Sequence, residues 1–184
     1  METSIIIAGF GGQGVLFAGQ VLAYAAMDAG RHVTWIPSYG PEMRGGTANC
    51  TVIISDEAIG APFVDRPDVA IVLNAPSFEK YELLVKPGGL LIVNSAIIDA
   101  TSEREDIDVV YIPANHIAAE LGSVKMLNMV VVGALLGTQP IFTLEQLGDT
   151  LREHLPVSKQ HLLEANLQVL QRGFEAARGE VSIQ

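Results

Sequence analysis

Short, unbroken apolar runs recur along this chain, separated by longer stretches whose apolar residues repeat at helical spacing. Ile5-Ile6-Ile7-Ala8, Val69-Ala70-Ile71-Val72-Leu73, Leu90 to Asn94 and Val109-Val110-Tyr111-Ile112 show no in–out alternation. Runs of this kind predict strands buried on both faces of a sheet. His32 to Ile36 and Ala48 to Ser55 read as two further strands. Val15 to about Ala29 is a helix stopped by Asp28-Ala29-Gly30, with Gly30 as its C-terminal cap. Pro76 suits the first turn of a helix reaching Leu84. Lys125 to Gly137 is apolar on all sides and predicts a buried helix. Leu144 to His154 follows Thr143 as cap. Val157 to about Arg178 is the longest helix, with Leu163, Leu167, Leu170, Phe174 and Ala177 forming a narrow apolar seam that docks on its own sheet or on a partner helix.

Strand, glycine turn, helix and strand in succession make a βαβ unit with a right-handed crossover. The link from Pro37 to Gly46 holds two prolines and three glycines. It is too short for the helix that a parallel crossover needs, so the third strand should run antiparallel to the second. The expected architecture is a Rossmann-like three-layer α/β/α domain with a mixed, mostly parallel sheet. A length of 184 residues without repeats or linkers fits one such domain over residues 1–184.

Composition narrows the function classes. The chain is 49% hydrophobic and 17% charged. That fits a sheet covered on both faces, and also an apolar surface reserved for a partner. We expect both, and therefore at least a homodimer, or poor solubility, for the isolated chain. The net charge of −10 comes without any Lys/Arg cluster, which excludes nucleic acid and an anionic membrane surface as partners. One cysteine, Cys50, permits neither an internal disulfide nor a Cys-ligated iron–sulfur or zinc site. His32, His116, His154 and His161 show no paired ligand spacing, so no metal is expected either. No apolar run is long enough to span a bilayer, and the start lacks the basic region of a signal peptide, which places the chain in the cytoplasm.

Two stretches carry candidate chemistry. Gly9-Phe10-Gly11-Gly12-Gln13-Gly14 lies between strand and helix, where such glycines bring bare N–H groups at a helix N-terminus against an anion. A dinucleotide site also wants a carboxylate ending the second strand, and Thr34-Trp35-Ile36-Pro37 has none. The alternative is that the glycines only let strand and helix pack closely. Ser38-Tyr39-Gly40-Pro41-Glu42-Met43-Arg44-Gly45-Gly46 leaves the carboxyl end of the second strand, beside the first glycine turn. Arg44 is the only cation on either loop, able to fork onto a carboxylate or phosphate or else to pair with Glu42. Tyr39 either stacks on a base or packs the turn. Asn128 interrupts an apolar helix and must find a hydrogen-bond partner.

Taken together, these stretches resemble the gamma subunit of 2-oxoacid:ferredoxin oxidoreductases. The likeness continues through Ile54-Ser55-Asp56-Glu57, Pro67-Asp68, Lys86-Pro87-Gly88-Gly89, Asn128-Met129 with Gly133, and Lys159 with Asn166 and Gly173. It implies oxidative decarboxylation of a 2-oxoacid to acyl-CoA, with thiamine diphosphate, magnesium and Fe–S clusters held by partner subunits. It implies coenzyme A as co-substrate, alpha, beta and ferredoxin-like delta subunits as partners, and ferredoxin as acceptor. Gly11, Gly12, Gln13, Gly14, Tyr39, Arg44, Gly45 and Gly46 would then face substrate or coenzyme A, with no catalytic residue on this chain. The Tyr-Gly-Pro-Glu-x-Arg-Gly-Gly form resembles 2-oxoglutarate-type chains. The rival reading is an independent nucleotide- or flavin-binding module.

Overall fold

A computed structural model describes residues 1–39 and 47–181. Six strands form one sheet: β1 (Glu2–Phe10), β2 (His32–Tyr39), β3 (Thr47–Ser55), β4 (Val69–Val72), β5 (Leu90–Asn94) and β6 (Asp108–Ile112), in the order β2-β3-β1-β4-β5-β6. β1, β4, β5 and β6 are mutually parallel, and β3 runs antiparallel to both β1 and β2. The antiparallel return after the short link is as expected. The sequence reading did not anticipate that β3 inserts between β1 and β2, which run the same way without touching. Physically, β3 is the better interior strand. It pairs with β1 along its whole length and buries Cys50, Val52 and Ile54 on one face. β2 carries Pro37, which lacks an N–H, and so belongs at the edge.

The central strands are covered on both sides, which accounts for their unbroken apolar runs. One face packs against α1 (Val15–Asp28) and α4 (Leu127–Thr138), with α3 (Ala114–Glu120), α5 (Leu144–His154) and α6 (Leu163–Val181) completing that layer. The other face is covered by α2 (Ala75–Tyr81) and by Ile98 and Ile107 from the segment between β5 and β6. α4 is buried without interruption from Leu127 to Leu136, as an all-round apolar helix must be. Thr143 and Gln146 cap α5 reciprocally, and Asn74 caps α2 through the Ser77 N–H.

Two helices are shorter than their sequence pattern. Val157–Leu162 is a 3₁₀ turn, so α6 begins only at Leu163, and α2 passes into a 3₁₀ turn at Glu82–Leu84. The apolar seam of α6 meets α4 more than the sheet. Gly133 and Gly173 let the two backbones touch: a Cβ on either would collide with the carbonyl of Leu170 or Val130. Among the described residues no helix is long and apolar enough to cross a membrane.

Candidate functional site

The glycine turn leaves β1 at the carboxyl edge of the sheet, and its four glycines divide into two kinds. Gly9 and Gly14 are packing glycines. A Cβ on Gly9 would lie 2.5 Å from Gln13 Oε1 and 2.8 Å from Leu73 Cβ. Gly14 has φ +73°, and a Cβ there would stand 2.5 Å from Asn128 Nδ2. Gly11 and Gly12 are exposed, and nothing lies within 4 Å of a Cβ built on Gly12, whose φ is +93°. Packing thus explains the outer glycines and the left-handed turn explains Gly12, but no atom of the chain fills the space at the tip. The tip sits over the N-terminus of α1, where no side chain caps the free N–H groups.

Gln13 turns inward. Its Oε1 accepts from the Phe10 N–H at 2.6 Å, and its Nε2 donates to the Leu73 carbonyl at 3.1 Å. The side chain therefore bridges the exits of β1 and β4, where the connections leave to opposite faces of the sheet. That is the crevice where open α/β sheets bind ligands. Gln13 thus fixes the turn, with Oε1 and one Nε2 hydrogen engaged within the chain. Asn128 finds the partner it required: its Nδ2 donates to the Gly14 carbonyl at 3.2 Å, tying the start of α4 to the start of α1.

The second loop springs from the same edge. Ala48 of β3 is flanked by Gly9 on one side and Tyr39 on the other, so the exits of β1 and β2 stand two strand spacings apart, roughly 10 Å. Tyr39 ends β2 at this level. Arg44, Gly45 and Gly46 lie outside the described residues, and the same holds for the Tyr39 side chain. Phe10 and Ile36 are both exposed on the sheet face away from α1, in register with Thr47 and Thr51 of β3.

Two further cations reach this edge from distant sequence. Lys159 Nζ sits 5.9 Å from the Phe17 ring centroid, over the first turn of α1. Lys125 stands one residue before Met126, just ahead of the Asn128 brace. Neither has a carboxylate partner among the described residues. Sequence reasoning missed both as members of the edge, because the chain folds back over 100 residues later to place them. Cys50 is no ligand for a cluster: it is fully buried, its Sγ donates to the Val15 carbonyl, and burial pushes its thiol up to about 12.

Comparison with known proteins agrees with this architecture. The family model for pyruvate ferredoxin/flavodoxin oxidoreductase matches residues 4–176. The ketoisovalerate oxidoreductase subunit VorA of Methanothermobacter marburgensis is 40% identical over 96% of this chain, and the chain spans 37% of that protein. The 2-oxoglutarate synthase subunit KorC of Methanocaldococcus jannaschii is 33% identical over 97% of this chain and 95% of its own length. The solved gamma subunit of a keto/oxoacid ferredoxin oxidoreductase from Geobacter sulfurreducens superposes with a TM-score of 0.85 at 27% identity, covering 97% of this chain and 98% of that one. A 2-oxoglutarate:ferredoxin oxidoreductase from Magnetococcus marinus, solved with 2-oxoglutarate, coenzyme A and succinyl-CoA, gives a TM-score of 0.88 at 27% identity over 97% of this chain and 31% of that one. With a family match across almost all of its length and a relative of equal size, the chain belongs to the pyruvate ferredoxin/flavodoxin oxidoreductase family.

Proposed function

We propose that this chain is the gamma subunit of a thiamine-dependent 2-oxoacid:ferredoxin oxidoreductase, and that its carboxyl edge faces coenzyme A or the active site. The observation that carries the second half is the exposed tip, Gly11 and Gly12, where a Cβ on Gly12 would meet no atom and which stands over an uncapped helix N-terminus. Lys125 and Lys159 add positive charge to that edge of an otherwise acidic chain, which suits a phosphate or a carboxylate. Arg44 joins them in this reading, since its loop begins and ends at the same edge. In this reading, as the family resemblance implies, thiamine diphosphate, magnesium and the Fe–S clusters belong to alpha, beta and delta-type partners, which suits a chain whose one cysteine is buried. The exposed Phe10 and Ile36 suit contact with such a partner close to the tip.

The acid itself is 2-oxoglutarate or a branched-chain 2-oxoacid. The Tyr39–Gly46 motif favours the former, and the higher identity to a ketoisovalerate subunit favours the latter. Co-expression with the neighbouring subunits tests the proposal. The lone chain should be colourless and inactive. Copurified chains should carry iron–sulfur absorption and reduce a dye only with a 2-oxoacid and coenzyme A. A yellow, flavin-bearing lone chain would instead support an independent module.

A further inference from the structure

Far from the glycine edge, α1 and α5 both end at one place, and their last residues touch. His154 Nε2 lies 2.9 Å from Asp28 Oδ1 and 3.2 Å from Oδ2. Glu153 completes a group: one ligand atom from each of Asp28, Glu153 and His154 falls within 4.8 Å of the others. We propose that these three side chains bind a divalent transition-metal ion of the zinc class, clasping the end of α1 to the end of α5. This inference is independent of the subunit assignment.

The geometry is close to that of a filled site. Around an ion with ligand distances of about 2.0–2.2 Å, neighbouring ligand atoms stand roughly 3–4 Å apart. Side-chain rotations that close the group by about 1–2 Å bring it to that spacing. Two of the three ligands are already oriented. The Tyr24 ring stacks on the His154 imidazole at 4.2 Å and 3°, which fixes the plane of the ring. Thr150 Oγ1 donates to Asp28 Oδ2 at 2.8 Å, an outer-shell contact of the kind that holds a ligating carboxylate.

The local field favours a cation. Both helices present their negative dipole ends here, α1 at Asp28 and α5 at His154. An adjoining cleft of about 200 Å³ is lined by Asp28, Asp149, Glu153, Thr150 and Gln146. An imidazole nitrogen with two carboxylates selects zinc, cobalt or nickel over calcium and magnesium, which take oxygen ligands. The histidine spacing hid this site, because its donors are two helices' ends, separated by 126 positions. The site is structural: α1 carries the glycine turn at its other end, some 20 Å away at 1.5 Å per residue.

The test is calorimetric titration of the chelator-treated full chain with zinc chloride, alongside cobalt titration read by visible absorption. One ion per chain with a micromolar or tighter dissociation constant is expected, and neither calcium nor magnesium at the same concentration should compete. Glu153 is exposed, so Glu153→Gln keeps the fold and should weaken binding roughly 10-fold or more, since losing a ligand costs at least what losing an outer-shell partner does. His154→Asn should abolish the cobalt band, and His161→Gln should change nothing. Zinc should raise the melting temperature of the wild type and not that of Glu153→Gln. No binding at about 100 µM zinc, or equal affinity in wild type, Glu153→Gln and His154→Asn, would overturn the proposal.

Discussion

The two edges of the sheet are built from different chemistry. At the amino edge, charges are paired off. Asp68 accepts from the Ser4 N–H and hydroxyl and from Lys86 at 2.6–2.9 Å, Asp56 holds the N-terminus and Arg31, and Arg104 pairs with Asp106 while donating to two backbone carbonyls. At the carboxyl edge the braces are neutral amides, Gln13 and Asn128, and the cations Lys125 and Lys159 stand without a carboxylate partner among the described residues. A Cβ on Gly12 at its tip would meet nothing, whereas one on Gly133 or Gly173 at the α4–α6 crossing would meet backbone directly. One edge is finished within the chain. The other is rigid but chemically open, the condition of a surface that awaits a ligand or partner.

The largest effect should come from the crossing that carries Asn128. Gly173→Ala forces a methyl into the Val130 carbonyl and should cost about 1–3 kcal/mol or more in urea unfolding. An unchanged midpoint would mean that the helices slide apart freely. Gly12→Ala comes next: its left-handed backbone should cost about 1–2 kcal/mol, although the side chain meets no atom. Asn128→Ala should lose about 1 kcal/mol, because the Gly14 carbonyl still accepts from the Ala18 N–H. A neutral Asn128→Ala would show that the turn is held by other means.

The smallest expected effect lies at the amino edge. Burial alone would raise the Asp68 carboxyl, but hydrogen bonds from Ser4 and Lys86 hold it below the ordinary aspartate range. Its contribution is therefore complete above the ordinary carboxylate value and fades as pH falls through the lowered one. With 32% of the side chain exposed, solvent screens the pair and keeps the term modest. Asp68→Asn should flatten the loss of stability between about pH 4 and pH 2, read from melting temperatures. Identical acid profiles would remove Asp68 from the account of that edge.

The fold was largely legible because its signals are local. Unbroken apolar runs marked the double-sided strands, Thr143 marked α5, and the link after Pro37 was too short for anything but an antiparallel return. What the sequence hid is tertiary. The insertion of β3 between β1 and β2 depends on which strand better satisfies two neighbours, and no pattern within β3 states it. Gln13 matched a ligand-facing position, yet the carbonyl that claims it, Leu73, lies 60 residues on. Nothing near Lys125 or Lys159 in the sequence says that their segments return to the start of α1. Many residues of the family resemblance, among them Asp56, Asp68, Lys86, Gly133 and Gly173, have structural work to do. Gly11 is exposed without a positive φ, and Gly12 is held to glycine by its left-handed backbone rather than by a close contact, so the functional claim rests on the open space at this tip.

That claim is tested most directly by Gly11→Asp in the reconstituted complex, with Michaelis constants measured separately for coenzyme A and for the 2-oxoacid. Gly11 is exposed and its φ is not positive, so an aspartate should leave stability and assembly unchanged. A carboxylate placed over the α1 N-terminus should repel an anionic ligand and take over its contacts. Charge-assisted bonds of about 1.5–3 kcal/mol correspond to a rise of roughly 10- to 150-fold in one of the two constants. The account predicts such a rise with an intact complex. Wild-type constants for both ligands, with wild-type turnover, would contradict it and leave the carboxyl edge a packing feature.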